Sequence, residues 1–394
     1  MASFDPASLR LRNSRLIGEP FGSVVDAVGW FGAVQAQDLA GAKWALGQRV
    51  RGATEAAIDQ ALDDGAVIRT HVLRPTWHFV LPADLRWMLA LTAPRVKRAM
   101  ATYDRPLALD DKVYRRCNEA IIRALEDGAH LTRGELARAL RRAKITADGQ
   151  RLAHIAMRAE LDAVICSGPR RGKQQTYALV DARCPATPQI DREAALAQLA
   201  RRYFASHGPA LVADFAWWSG LTLSDARRAV ELVGRDLASH TVDEQTYWFA
   251  GGSAVRKARS PVVHLLPNYD ESIVAYRHRA LAPGPALIAR LGSRPNLLFH
   301  NLVMLDGAPI GTWRRAPGIV VDVAEALPAP AQRALDAQLA RFERYATTAR
   351  LAAATPAATP ATTVTKPARA TPTQRKPRAP RKATTSRTPR SSAR

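Results

Sequence analysis

Gln35 and Gln37 flank the small residue Ala36, just ahead of a helical pattern that begins near Leu39. In a helix, residues two apart point to opposite sides; in an extended segment they line one face. Gly32 before the pair and Leu39–Leu46 after it mark a junction of loop and helix, where two amides can converge on one target. A glutamine amide is uncharged and offers two donors and one acceptor oxygen. Such a pair can hold a water or a sugar close to phosphates, although neither amide is a base at neutral pH. By residue type alone, the same two glutamines serve equally well as cap or surface residues. Asp38, one place later, is a candidate supporting group.

Three other groups could contact a polyanion. The segment around His71, Arg74, Thr76, Trp77 and His78 reads as a hairpin rich in cations with one aromatic, a composition suited to groove insertion. Alternation puts Thr76 and His78 on one face and Trp77 on the other. Arg151, His154 and Arg158 share one stripe of a helix by their spacing, and Arg170, Arg171 and Lys173 follow in a basic loop. A helix stripe beside a basic loop fits a recognition helix and its wing; the alternative is a solvated face. Tyr269, Asp270 and Glu271, with Arg277 and Arg279, form a polar cluster. It reads either as contact with nucleic acid or site, or as an internal ion-pair network.

The elements that must carry these residues repeat. Residues 1–104 read as three helices and a hairpin, with Thr54 as an N-cap and Asp64-Gly65 as a turn. Residues 105–185 follow the same order, with Thr132 and Glu135 spaced as a capping box, a third helix over Gly149–Ile165 and the basic loop at residues 167–173. Residues 186–259 repeat it again. Helix, helix, helix, hairpin is the order of a winged helix. Residues 260–350 change character: strands near Val262–Leu266, Leu297–Leu305 and Ile310–Arg314, Asp306-Gly307 as a hairpin turn, and a helix over Ala331–Tyr345. Residues 351–394 are Ala, Pro, Thr, Ser, Lys and Arg without an aromatic, a composition that predicts a disordered basic tail. The fold class expected is α+β, mainly helical: three tandem winged-helix units, a small β-rich region and the tail.

The chain has 394 residues and a net charge of +22. Ten Lys and Arg fall from Leu351 onward with no acid among them, so the body keeps +12. A body of that charge favours polyanions, duplex DNA first among them, unless the arginines reflect only a GC-rich genome. Cys117, Cys166 and Cys184 are widely spaced, and no C-x-x-C occurs. Neither a metal site nor any other cofactor is expected, and the odd count fits a reducing compartment. No apolar run approaches the ~20 residues needed to span a bilayer. The expectation is a cytoplasmic, nucleoid-associated monomer without membrane contact.

Eight stretches together resemble a known family. VQAQD and WALGQR, RTHVLRPTWHFV, LRWMLALTAPRV, HIAMRAELDAVICSGPRRGKQQTYAL, SHGPALVADFAWWSGLT, LLPNYDE and GTWRR are similar, in this order, to the bacterial AlkZ-like DNA glycosylases of the azinomycin-resistance type. These share a winged-helix superfamily with the YcaQ-type glycosylases. The resemblance runs from about residue 5 to 345. It implies tandem winged helices around a concave basic channel, and removal of N7-alkylated purines, including unhooking of interstrand crosslinks. It also implies a catalytic Gln–apolar–Gln motif, matched here by Gln35, Ala36 and Gln37. The other branch has Asp in the second catalytic slot. This chain has Gln there, and Asp38 is out of register with it. The rival expectation is a non-catalytic winged-helix DNA-binding protein, either a regulator or a nucleoid-associated binder.

Overall fold

Capped helices and short antiparallel sheets alternate along the chain. The computed structural model describes residues 4–251, 260–277, 283–292, 296–316 and 318–354, with side chains to residue 347. A leading helix, Pro6–Asn13, starts on the Asp5 carboxylate, which accepts from the amides of Ala7 and Ser8. Helix Val24–Phe31 then begins on Ser23 and stops at Gly32, whose φ is 77°. A two-residue strand, Val34–Gln35, follows. Helices Leu39–Gly47 and Glu55–Asp63 are capped by Asp38 and Thr54. Strands Ile68–His71 and Trp77–Val80 close the section as a hairpin. The short strand pairs with the second hairpin strand, so Gln35, His78 and Thr70 lie side by side across three strands.

The same plan returns twice. Helix Asp111–Leu125 leads to strand Leu131–Thr132, helices Arg133–Arg142 and Gly149–Leu161, and the hairpin Ile165–Arg171/Gln174–Leu179. Again the short strand pairs with the second hairpin strand. In the third passage, helices Arg192–Ser206, Val212–Ser219 and Leu223–Val233 precede the hairpin Leu237–Val242/Gln245–Ala250. Here the short strand has shrunk to a single bridge, Ala210 with Trp248.

A four-stranded antiparallel sheet follows. Its strands are Val263–Leu266, Leu302–Leu305, Ala308–Ala316 and Gly318–Val323, paired in chain order. Asp306 and Gly307 both have positive φ, 49° and 86°, the backbone that a two-residue hairpin turn requires. Helix Ala329–Ala354 is longer at both ends than its apolar pattern. It absorbs residues 351–354, expected in the tail, because Leu-Ala-Ala-Ala favours helix and Pro356 lies just beyond. The rest of the tail and Arg279 lie outside the described residues.

Two other differences concern hairpins. The helix expected to reach Ile165 ends at Leu161, and Ile165 opens a strand. The basic loop is mostly that strand, with its turn at Gly172 and Lys173. Alternating apolar residues over so short a run suit helix and strand alike.

Apolar clusters run across the boundaries at 104, 185 and 259. One apolar cluster joins Ile68, Met88, Cys166, Leu199, Trp218 and Tyr276. Another joins Phe31, Trp44, Phe79, Val263, Trp313 and Phe342. Between distant segments sits a buried ion pair. Arg49 Nη2 donates to Asp270 Oδ1 at 2.7 Å and Nη1 to Oδ2 at 2.9 Å, and the two side chains are 2% and 0% exposed. Arg49 also donates to the carbonyls of Ser14 and Ala45, and Asp270 accepts from Ser272 as a helix cap. Burial opposes the charged carboxylate. The charge and hydrogen bonds of Arg49, with those of Ser272, outweigh it and hold its pKa below the usual 3.8.

Breaking one side of such a pair strands the other charge. Asp270→Asn should therefore destabilise the protein by about 3–5 kcal/mol in denaturant unfolding. The carboxylate's contribution is complete above its ordinary pKa and fades as pH falls through the lower folded value. The variant's deficit should accordingly shrink under acid; a pH-independent deficit would overturn the assignment.

Candidate active site

The main chain at Gln35 and Ala36 is held by partners from distant parts of the chain. The amide of Gln35 donates to Glu271 Oε1 at 2.5 Å. The amide of Ala36 donates to the Trp77 carbonyl at 2.7 Å. The Ala36 carbonyl accepts twice from Arg69, at 3.1 and 3.0 Å. Asp38 accepts from the amides of Ala40 and Gly41 and thereby starts the next helix. The strand ends at Gln35, the chain bends at Gln37 and Asp38 into the cap, and Ala36 between the two glutamines is fully buried in the core.

The two amide side chains differ in freedom. Gln35 is 5% exposed, and its Oε1 accepts from Arg74 Nη2 at 2.6 Å. Gln37 is exposed, and its Oε1 makes only a long 3.4 Å contact with the Trp77 amide. Arg74 reaches Gln35 because the hairpin turn folds back. Leu73, buried, has φ 62°, and its carbonyl lies so close to Gly220 that any side chain there would collide with it. Arg74 Nη1 also contacts the Trp217 carbonyl at 3.4 Å, and its guanidinium carbon lies 5.8 Å from the centre of the Trp217 ring.

Beside Gln35 on the same sheet face are His78 and Thr70, both fully buried. His78 Nδ1 is 2.9 Å from the Thr76 carbonyl. A carbonyl only accepts, so Nδ1 carries the proton. Burial, then the Arg74 charge, push the His78 pKa well below 6.5, so the ring is neutral and Nε2 keeps a lone pair. That Nε2, Thr70 Oγ1 and Thr76 Oγ1 are buried without a hydrogen-bond partner among the described residues. Glu271, on the other side of Gln35, is buried and also accepts from Trp218 Nε1 at 3.0 Å, with His207 Nε2 at 3.2 Å.

The sequence-nominated residues divide into three sets. Gln35, Gln37, Arg74, Thr76, His78 and Glu271 come together around the first hairpin. Asp38 is a helix cap, Asp270 belongs to the Arg49 pair, and Tyr269 packs edge-on against Phe299. His71, buried, pairs with Glu160 and lies 4.4 Å from the Trp77 ring.

The third set are cations occupied by internal partners. Arg151 holds the carbonyls of Thr146, Leu107 and Ala108. His154 meets Asp104 at 2.7 Å, and Arg158 bridges Asp111 and Asp162. Arg170 grips Asp59 and Asp63 on the first section's helix; Arg171 reaches Glu135 and the His130 carbonyl. Lys173 is exposed at the hairpin turn.

Sequence reasoning missed Arg69, Trp217 and Trp218. Arg69 shares a strand face with His71, and its guanidinium lies 4.5 Å from the Trp77 ring. Strand alternation puts Arg69 on the face of His71, and the hairpin register, which sets His71 opposite Trp77, brings Arg69 diagonally to that ring. The part played by the two tryptophans depends on the third section packing against the first hairpin, for which the sequence has no local signal. Among the described residues, no group of three His, Cys, Asp or Glu side chains is placed to hold a metal, and no helix is long and apolar enough to cross a membrane.

Comparison with known proteins places this arrangement. The family profile described as "DNA glycosylase AlkZ-like" matches residues 28–345, and the chain belongs to that family; it is a DNA N-glycosylase by class. Among solved structures, the DNA glycosylase AlkZ of Streptomyces sahachiroi superposes with a TM-score of 0.68 at 21% identity, over 86% of this chain and 95% of that one. The likeness extends to the fold. No curated protein matches the sequence significantly.

A neutral His78 in the folded protein must take up a proton on unfolding below its ordinary pKa of 6.5. The stability it confers is present above that value and is lost as pH falls. Compared with wild type, His78→Gln should flatten the stability–pH curve below pH 6.5 by up to about 1.4 kcal/mol per pH unit. Identical slopes in the two proteins would show that His78 is charged in the fold.

Proposed function

From membership of that family, we propose that the chain is a monofunctional glycosylase. It hydrolyses the N-glycosidic bond of N7-alkylated purines in duplex DNA and unhooks interstrand crosslinks made through such bases. The observation that carries this reading is the clamped segment from Gln35 to Asp38. Gln35 ends a short strand beside Arg74 and Gln37 follows two residues on, with the main chain at Gln35 and Ala36 held by Glu271, Arg69 and Trp77. A segment fixed to this degree is organised before substrate arrives.

The chemistry asks for little else. An N7-alkylpurine is already cationic and needs no general acid to leave. Departure develops oxocarbenium character on the sugar, as in glycoside hydrolysis. The protein has to place a water below C1′ and shield the developing charge. Gln37 orients the water through its carbonyl oxygen, and Gln35 holds the nucleotide. The water's oxygen bonds to C1′, the C1′–N9 electrons leave with the base, and the released proton passes to solvent. An intact purine would not be released by so mild a device, so selectivity follows partly from the substrate's own reactivity.

The threefold helix, strand, helix, helix, hairpin plan supports three winged-helix units, at 1–104, 105–185 and 186–259, facing DNA as a basic concave surface. Lys173, exposed at its hairpin turn, touches the duplex directly, while Arg74 turns inward to Gln35. The cations Arg151, His154, Arg158, Arg170 and Arg171 stiffen the second unit through their internal pairs, and the buried His71–Glu160 pair does the same for the first hairpin. The protein acts as a monomer on the nucleoid.

Duplex carrying N7-methylguanine or a nitrogen-mustard crosslink should lose its base and leave abasic sites. Gln37→Ala should slow single-turnover release about 10- to 100-fold with unfolding midpoint and duplex affinity unchanged. Equal release by wild type and the Gln35→Ala/Gln37→Ala double variant would refute the assignment. In contrast, Asp38→Ala should cost about 1 kcal/mol of stability, as loss of an N-cap does, and keep the release rate. A collapse of that rate at full stability would move Asp38 into the catalytic group.

A further inference from the structure

We propose that Arg74 is a positioning residue: it locks the Gln35 amide with its oxygen inward, so that Gln35 works only as a donor and Gln37 alone presents a carbonyl to the water. The inference rests on the glycosylase reading above and divides the labour within it.

The argument begins with donor inventories. An amide's oxygen and nitrogen look alike in shape, and their assignment depends on the neighbours. Here the neighbour settles it. A guanidinium has five N–H donors and no acceptor, so the Gln35 atom 2.6 Å from Arg74 Nη2 must be the oxygen. Charge-assisted hydrogen bonds are roughly twice as strong as neutral ones, and Gln35 is nearly buried. Turning the amide over would set its NH2 against a cation's N–H groups. With the oxygen held at Arg74, the group that Gln35 can turn to substrate is the NH2: two donors for an acceptor oxygen, either a phosphodiester oxygen or the spare lone pair of the water.

Arg74 is itself held. Its fork reaches the Trp217 carbonyl, and the Trp217 ring lies alongside at 5.8 Å. The Trp217 indole N–H is tied in turn to the Val274 carbonyl at 3.0 Å. Glu271, three residues before Val274, takes the Gln35 main-chain N–H and provides the favourable charge that opposes the desolvation of Arg74. One residue is therefore fixed at both ends by one short stretch of chain, at its backbone directly and at its side chain through Trp217 and Arg74. Gln37 has no such hold: it is exposed, and its contact to the Trp77 amide is 3.4 Å long. It can turn its oxygen to a water without breaking a strong bond.

A plain phosphate contact by Arg74 predicts something different. Removing a phosphate-binding cation weakens duplex affinity uniformly and lowers the salt slope by about 1. Removing a positioning cation slows chemistry and leaves both unchanged.

The test uses the full-length protein. Arg74→Met keeps the stem and removes the fork; Arg74→Lys keeps a charge and a donor. On N7-methylguanine duplex, Arg74→Met should slow single-turnover release about 10- to 100-fold. Its affinity for the same duplex with an unmodified guanine, and the salt slope of that affinity, should match wild type. Arg74→Lys should recover part of the rate. In a Gln35→Ala background, Arg74→Met should cost nothing more, because its effect runs through Gln35. Additive losses, or a reduced salt slope with normal chemistry, would overturn the proposal. A readout without catalysis keeps it separate from the glycosylase reading. With 15N-glutamine labelling, the side-chain NH2 signal of Gln35, identified by its loss in Gln35→Ala, should shift in Arg74→Met. A wild-type protein that releases no base from any alkylated duplex, yet shows this shift, would refute the glycosylase function and leave the Arg74–Gln35 lock in place. No shift would refute the lock whatever the activity.

Discussion

The arrangement depends on a two-residue strand, Val34–Gln35, that ends just short of a helix start. The strand would pull residues 35 to 37 into a sheet and the following helix into a coil. Asp38 settles the contest by capping the helix at Leu39, which leaves Gln35 and Gln37 on the strand side of the boundary. Glu271 and Arg69 then take the polar groups that a two-residue strand leaves open. Buried backbone groups without partners are costly, so these side chains are as much part of the strand as its neighbour Trp77–Val80 is. Were the helix to begin two residues earlier, the amides would point apart and no clamp around them would matter.

Such a clamp needs charged groups in the interior, and charged groups need company. Glu271 lies beside Asp270, and each carboxylate answers a different part of the first section: Asp270 the Arg49 guanidinium, Glu271 the Gln35 amide. The pair of acids therefore registers the fourth sheet's approach against the first hairpin. A buried ion pair is weak evidence of stability for its own sake. Its value here is geometric: an apolar replacement would pack but would not tell Gln35 where to stand.

Much of this was legible in the sequence, and the pattern of what was not has a physical reason. Local signals worked. The caps Thr54 and Thr132, the Asp306-Gly307 turn and the junction at Gln35–Asp38 are written in neighbouring residues. The order of helices and hairpins was legible for the same reason. Contacts between sections were not. Arg151, His154 and Arg158 fall on one stripe of helix Gly149–Leu161, as spacing requires, yet that stripe meets Asp104, Asp111, Asp162 and the carbonyls near Leu107. Spacing tells which residues share a face and is silent on what the face meets. Arg170 likewise sits at the end of a basic hairpin and turns to Asp59 and Asp63, whose acidity lies about a hundred residues away in the chain. The apolar clusters that join the sections are likewise made of residues that no local pattern can assign to one neighbour or another.

The same distinction bears on how the proposed chemistry is tuned. Around the two glutamines the ionisable groups are arranged to keep their charge states. Arg74 remains a cation, its desolvation opposed by Glu271. His78 is held neutral by burial and by that cation. The two amides have no proton to give or take near neutrality, and the cation and the neutral imidazole beside them keep their states. On the proposed reading that is an advantage. The driving force then resides in the alkylated base, whose positive charge makes it leave, and an ordinary base in the same position would meet well-placed groups that do nothing to it. Selectivity against a vast excess of intact DNA can thus rest on what the protein withholds, and the rigidity of the clamp is what keeps the withheld groups from straying into use.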